Sequence, residues 1–301
     1  MATLILLAVC IWRLVVETRK GVPAVESAFF IIAIAYGIVV SRHDLISIYV
    51  VYVFWITLLF ILFLVFGRIY NRKAENLGKW DLVSFSLGFL ALSGLVLLAP
   101  LGCCLSFRNQ PPTSIASPLK NGTFFVVQGG SNRLLNHHRT SPVATSQRFA
   151  VDFSKLSSFG RRTRALFPNS DLSEFLIFGE PVYSPCNGVI LFIADDIDDE
   201  RIGRTNEEKP AGNYLAIGCE GGHTIVLAHL KKGIDIEKGN SVVLGQQVGY
   251  VGNSGNSTEP HLHLHVISGI AKSEYEALFS GDGIEVAIND ACLYRNQVLN
   301  L

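Results

Sequence analysis

Residues 48–67 read IYVVYVFWITLLFILFLVFG, twenty positions without a charge. Such a run can leave water only if its own amides bond to one another, and about 20 apolar residues in a helix cross the hydrocarbon of a bilayer. A long helix in lipid is therefore the first expectation. Four apolar segments precede residue 106, at about 2–16, 24–40, 45–67 and 82–105. The third and fourth are long enough to span. The second carries Glu26 near one end, and the first is short and interrupted by Arg13. The first reads as a tilted span, a half-inserted helix or a shortened start; it lacks the basic beginning and small-residue exit of a cleaved signal peptide.

Charge divides the chain at the same place. Thirteen of the fifty Lys, Arg, Asp and Glu residues lie before residue 106. A formal net charge of zero argues against a nucleic-acid binder, and 49% hydrophobic residues argue against disorder. The expected organisation is a transmembrane helical region of about four α-helices over 1–105, a Pro/Ser/Asn-rich linker over 106–121, and a separate domain over 122–301. Basic residues in short loops mark the cytoplasmic side. Arg19 and Lys20 follow the first segment, and Arg68, Arg72, Lys73 and Lys79 follow the third. With all four segments spanning, the C-terminal domain is expected outside the cytoplasm. Arg13 and Glu26 are weak markers of a polar pathway, so the helices read as an anchor rather than as a transporter or sensor.

Beyond residue 122 the apolar runs are short and broken by Gly, Asn, Pro and Asp. TFFVVQ, RFAVDF, GVILFIA, NYLAIG, HTIVLAHL, QVGYVG and HLHLHVI predict strands, and 273–279 predicts a short helix. The domain is expected to be all-β, an antiparallel barrel or sandwich. None of the six cysteines forms a C-x-x-C pair. Cys186 and Cys219, on expected strands, read as buried thiols, with a disulfide in an oxidising compartment as the alternative.

The chemistry lies in the histidines. Side chains on a strand alternate between faces, so His261, His263 and His265 in PHLHLHV share one face, with Leu262 and Leu264 on the other. His229 ends TIVLAHL. Asp152 sits between apolar neighbours in RFAVDF, where a bare carboxylate is costly and needs a partner. Two imidazoles and a carboxylate suit a tetrahedral Zn²⁺ with its fourth position open to water.

The order Asp, then A-H-L, then S-G-N-S-T-E-P-H-L-H, within roughly 123–268, resembles the lysostaphin-type (LytM-like) zinc metallopeptidases that cleave peptidoglycan peptides. The resemblance implies Asp152 and His263 as zinc ligands and His229 and His261 as catalytic residues. One position departs from it: the family has a His four residues before the Asp, where this chain has Arg148, which cannot ligate zinc. His138, or His137 beside it, is the expected replacement, because a loop of about fourteen residues closes back on the Asp strand at modest entropic cost. His265 is open between a partner of the ligands and a residue at the groove mouth. His223, six residues before His229, takes the same strand facing and reads as an exposed strand-start residue, with a place in the cleft as the alternative.

The expected protein is a multi-pass enzyme of a bacterial cell membrane, binding Zn²⁺ and peptidoglycan peptides, with its catalytic domain extracytoplasmic. The alternative is a degenerate, metal-free LytM-like domain that binds wall or activates another hydrolase. No protein partner is indicated.

Overall fold

The computed structural model describes residues 112–133, 136–166 and 170–301. The four apolar segments and their expected topology lie outside the described residues. Among the described residues no helix is long and apolar enough to cross a membrane.

Thirteen strands are present among these residues. They are β1 (Thr113–Ile115), β2 (Thr123–Gln128), β3 (Val151–Leu156), β4 (Pro181–Tyr183), β5 (Gly188–Ala194), β6 (Asn213–Cys219), β7 (His223–Leu230), β8 (Ser241–Val242), β9 (Gln247–Tyr250), β10 (Leu262–Ser268), β11 (Val286–Ile288), β12 (Ala291–Cys292) and β13 (Val298–Asn300). Eight form one antiparallel sheet in the order β13-β2-β3-β10-β7-β6-β5-β8. An antiparallel pair, β4-β9, and a three-stranded sheet, β1-β11-β12, complete the β structure among the described residues.

Alternation along the central strands sorts the two faces of the large sheet. Val151 and Phe153 of β3, Ile225 and Leu227 of β7, Leu215 and Ile217 of β6, and Leu262, Leu264 and Val266 of β10 enter one core. Val182 of β4, Val248 of β9 and Ile115, Val286 and Ile288 of β1 and β11 belong to the same core, so both small sheets cover this face. Each such side chain contributes about 1.5–3 kcal/mol when fully buried. The opposite face is covered only in part, by Ala277 and Leu278 of the helical turn Glu276–Ser280 against Ala216, Val226 and Ile267. The rest of that face carries the polar residues.

Two readings of the sequence are corrected. The stretch expected as linker is taken into the domain from Thr113 onward: β1 pairs in parallel with β11, and Ile115 and Leu119 are buried. Pro and Ser weighed there as linker composition, whereas two well-placed apolar side chains are enough to dock a short strand. Cys186 and Cys219 form a disulfide rather than remaining thiols. They stand at the β5–β6 end where Gly188 pairs with Cys219, a proximity visible only once strand register is known.

Candidate functional site

Asp152 and His263 are direct cross-strand partners in the β3–β10 ladder. Both point away from the apolar core because their neighbours Val151, Phe153, Leu262 and Leu264 point into it. His263 Nδ1 lies 2.9 Å from Asp152 Oδ1. The other carboxylate oxygen, Oδ2, lies 2.9 Å from His138 Nε2. Asp152, His138 and His263 thus bring one oxygen and two nitrogens within 4.8 Å of one another.

Of the two candidate histidines, it is His138 that reaches Asp152. Both lie in the turn His137–Thr140, capped by Asn136, whose side chain accepts from the His138 N–H. Asn136 is fully buried and its amide donates to the carbonyls of Gly130 and Ala150. It ties the turn to the chain entering β3. His137 is exposed, its backbone N–H donating to Gln128. Arg148 is directed away, paired with Asp282. Asn136 was missed in the sequence; the Asn before the His pair is an Asx-cap signal, but a weak one.

His229 is placed by a bulge. Asn213 pairs with Leu230 and Tyr214 with Ala228, leaving His229 as the extra residue of β7. Its φ is +61°, which costs a non-glycine residue on the order of 1 kcal/mol. The bulge turns His229 to the same face as Ala228 and returns Leu230 to the core. It also breaks the facing expected for His223, which is in phase with Ile225 and Leu227 at the far end of β7 and is not part of this cluster. His229 Nδ1–H donates to Ser254 O at 2.8 Å. Ser254 Oγ donates to Leu230 O and accepts from Asn213 N–H, pinning both flanks of the bulge.

His261 lies just ahead of β10, and its Nδ1–H donates to Glu259 O at 2.9 Å. Its Nε2 is 3.8 Å from Asp152 Oδ1. The His261 and His229 rings are 4.7 Å apart and His229 and His263 5.7 Å apart. With Nδ1 of each ring committed to a carbonyl, neutral His229 and His261 both present a bare Nε2. Fully buried Arg162 pairs with the Glu259 side chain at 2.8 Å and holds the loop that carries His261. Nothing in the local sequence marks that ion pair. His265, the third histidine of the stripe, is buried, with ring nitrogens on His263 and Ala277; it is a partner of the cluster and not a groove-mouth residue.

Burial opposes the Asp152 charge, yet the imidazoles of His138 and His261 outweigh it and hold the carboxyl well below its ordinary value. Burial also draws His138 down, but the adjacent carboxylate carries it above the usual imidazole range. His229 is held well below that range by burial and by His261 and His263. Burial likewise lowers His263. A buried N,N,O set with a charged carboxylate at its centre fits the donor chemistry of Zn²⁺.

Residues 175–274 match peptidase family M23. The matched span includes His229, His261 and His263 and begins downstream of His138 and Asp152. The chain is 31% identical over 128 residues to the peptidoglycan DD-endopeptidase ShyA of Vibrio cholerae, covering 40% of this chain and 27% of that protein. It is 29% identical over 147 residues to an uncharacterized metalloprotease of Buchnera aphidicola, covering 49% and 35%. The chain thus spans well under half the length of either relative. Among solved structures, a zinc containing peptidase from Vibrio cholerae aligns at 23% identity and TM-score 0.32, over 56% of this chain and 37% of that one.

Proposed function

We propose that this chain is a membrane-anchored zinc metallopeptidase that hydrolyses amide bonds in the peptide stems or cross-bridges of peptidoglycan. In this reading residues 1–105 are a multi-pass anchor in a bacterial cell membrane, and the M23 domain stands on the extracytoplasmic side. One observation carries it: Asp152 has His138 and His263 at 2.9 Å, one on each oxygen, with His229 and His261 on the same face. The substrate class is supported by a relative named as a peptidoglycan endopeptidase. The Cys186–Cys219 disulfide supports placement outside a reducing cytosol.

His138 Nε2, an Asp152 oxygen and His263 Nδ1 would hold the ion, which when bound polarises a carbonyl and acidifies a water. The remaining work falls to the chain's own residues. His229 and His261, each with Nε2 bare, can accept the proton of a water that adds to the amide carbon. A ring that has taken this proton becomes an N–H donor, able to steady the developing oxyanion and then to protonate the leaving amine as the C–N bond breaks.

The alternative, a metal-free adaptor, draws its support from Arg148 at the usual ligand position; His138 beside Asp152 weakens that support. The full chain, purified in detergent, distinguishes the two. Expected are about one zinc per chain and release of peptides from purified peptidoglycan. Asp152→Asn and His263→Ala should lose zinc and activity together, whereas His229→Ala and His261→Ala should keep zinc and lose at least about 100-fold in rate, the contribution of a proton-transfer group. A folded wild type without zinc, inert on peptidoglycan, would establish the adaptor instead.

A further inference from the structure

His265 has no role in the mechanism above, yet it is buried to 1% exposure and its ring is committed at both nitrogens. Its Nε2 lies 2.9 Å from the carbonyl oxygen of Ala277, in the helical turn Glu276–Ser280. Its Nδ1 lies 3.0 Å from His263 Nε2. A carbonyl oxygen can only accept. The proton of a neutral His265 must therefore sit on Nε2, leaving a lone pair on Nδ1. That lone pair can only accept in turn, so His263 carries its proton on Nε2. A neutral His263 is then bare at Nδ1, the nitrogen 2.9 Å from Asp152 Oδ1. Two acceptors face one another at contact distance, an arrangement that repels unless a cation lies between them.

We infer that His265 is a positioning residue: it relays the direction of one backbone carbonyl, Ala277 O, into the tautomer of His263 and so reserves His263 Nδ1 for a metal ion shared with Asp152. The inference rests on the metal-site part of the proposed function. Donation from a ligand's far nitrogen both orients the ring and makes its near nitrogen a better donor to the ion. The acceptor is a neutral imidazole, so the relay adds no charge to a buried site, where a second carboxylate would need a partner of its own.

The test uses the full chain labelled with ¹⁵N at histidine. A scalar coupling between His263 Nε2 and His265 Nδ1 across their hydrogen bond, with the proton on His263 Nε2 both with and without zinc, is expected. A His263 whose Nε2 is bare in zinc-free protein overturns the inference. Zinc affinity, measured by chelator competition, gives a second readout. His265→Leu keeps bulk and removes the acceptor, and should weaken zinc about 10- to 100-fold. His265→Asn places an oxygen near the former Nδ1 and should stay close to wild type. Unchanged affinity in the Leu variant, or equal loss in both, overturns the relay, since equal loss reflects packing alone. Should the Leu variant fail to fold, the coupling in wild type decides. Should wild-type protein bind no zinc, the enzyme reading fails while the coupling still settles the tautomer.

Discussion

Five imidazoles stand around or behind one carboxylate, and their proton affinities are tied to folding. His229 and His263 are held below the ordinary imidazole value, and burial pushes His265 down to about 3. In the unfolded chain each would take up a proton below about pH 6.5. Their contribution to stability is therefore full above that pH and is lost as pH falls. His138, held above the ordinary value by Asp152, works the other way: its contribution is full below about pH 6.5 and fades as pH rises through the folded value. Asp152, held low, loses its contribution only on stronger acidification. Across about pH 4.5 to 6.5 His138 stays protonated folded or unfolded, so the three lowered histidines set the slope and the metal-free chain should gain stability as pH rises through that window. Thermal unfolding of chelator-treated protein checks this, and a melting temperature that is flat or falls across the window refutes it. The choice between His137 and His138 was not legible in the sequence, because it depends on which side of a one-turn helix meets β3, and that is set by Asn136 reaching two carbonyls distant from the His pair.

The bulge in β7 is an element-scale device whose cost is local and whose purpose lies across the site. Left-handed backbone at His229 persists because Ser254 and Asn213 hold both flanks. Ser254→Ala leaves the buried Asn213 N–H without its acceptor and Leu230 O with the Asn213 amide alone, a loss of about 1–3 kcal/mol. With the ion held by His138, Asp152 and His263 as proposed, rather than by His229, His261 and His263, which also lie within 4.8 Å of one another, the expected result is a lower melting temperature and a reduced hydrolysis rate with zinc content unchanged. Zinc lost in parallel with activity would refute this. The neighbouring loop is as tightly made: a Cβ on Gly255, which has φ +80°, would come 2.3 Å from Gly212 N. Strands over 188–194 and 223–230 were legible to the residue from short apolar runs bounded by turn-forming residues. The bulge was not, because its flank is held by the Ser254 hydroxyl, supplied to Leu230 O from 24 residues away, and with it went the facing assigned to His223.

At the largest scale, among the described residues, the main core on one face of an eight-stranded sheet and only a partial cover on the other leave part of that second face to the polar cluster. The Cys186–Cys219 bridge closes a separation of 33 residues near the β8 edge of that sheet. Loop-closure entropy assigns such a link about 3–4 kcal/mol. Replacing both cysteines in the full chain, Cys186→Ala with Cys219→Ala, should lower its melting temperature by several degrees while leaving zinc content intact; no shift in the double variant would show that the bridge does not constrain the unfolded chain. Asp152 and His263 meet only because β3 and β10 pair in one particular register. A slip of one residue would send Asp152 into oil and bring Phe153 to the groove. The apolar layer that aligns these strands is thus also what measures out the spacing of carboxylate and imidazole, and in the proposed zinc site mutations deep in the hydrophobic interior, remote from any imidazole, should be read out as changes in metal affinity.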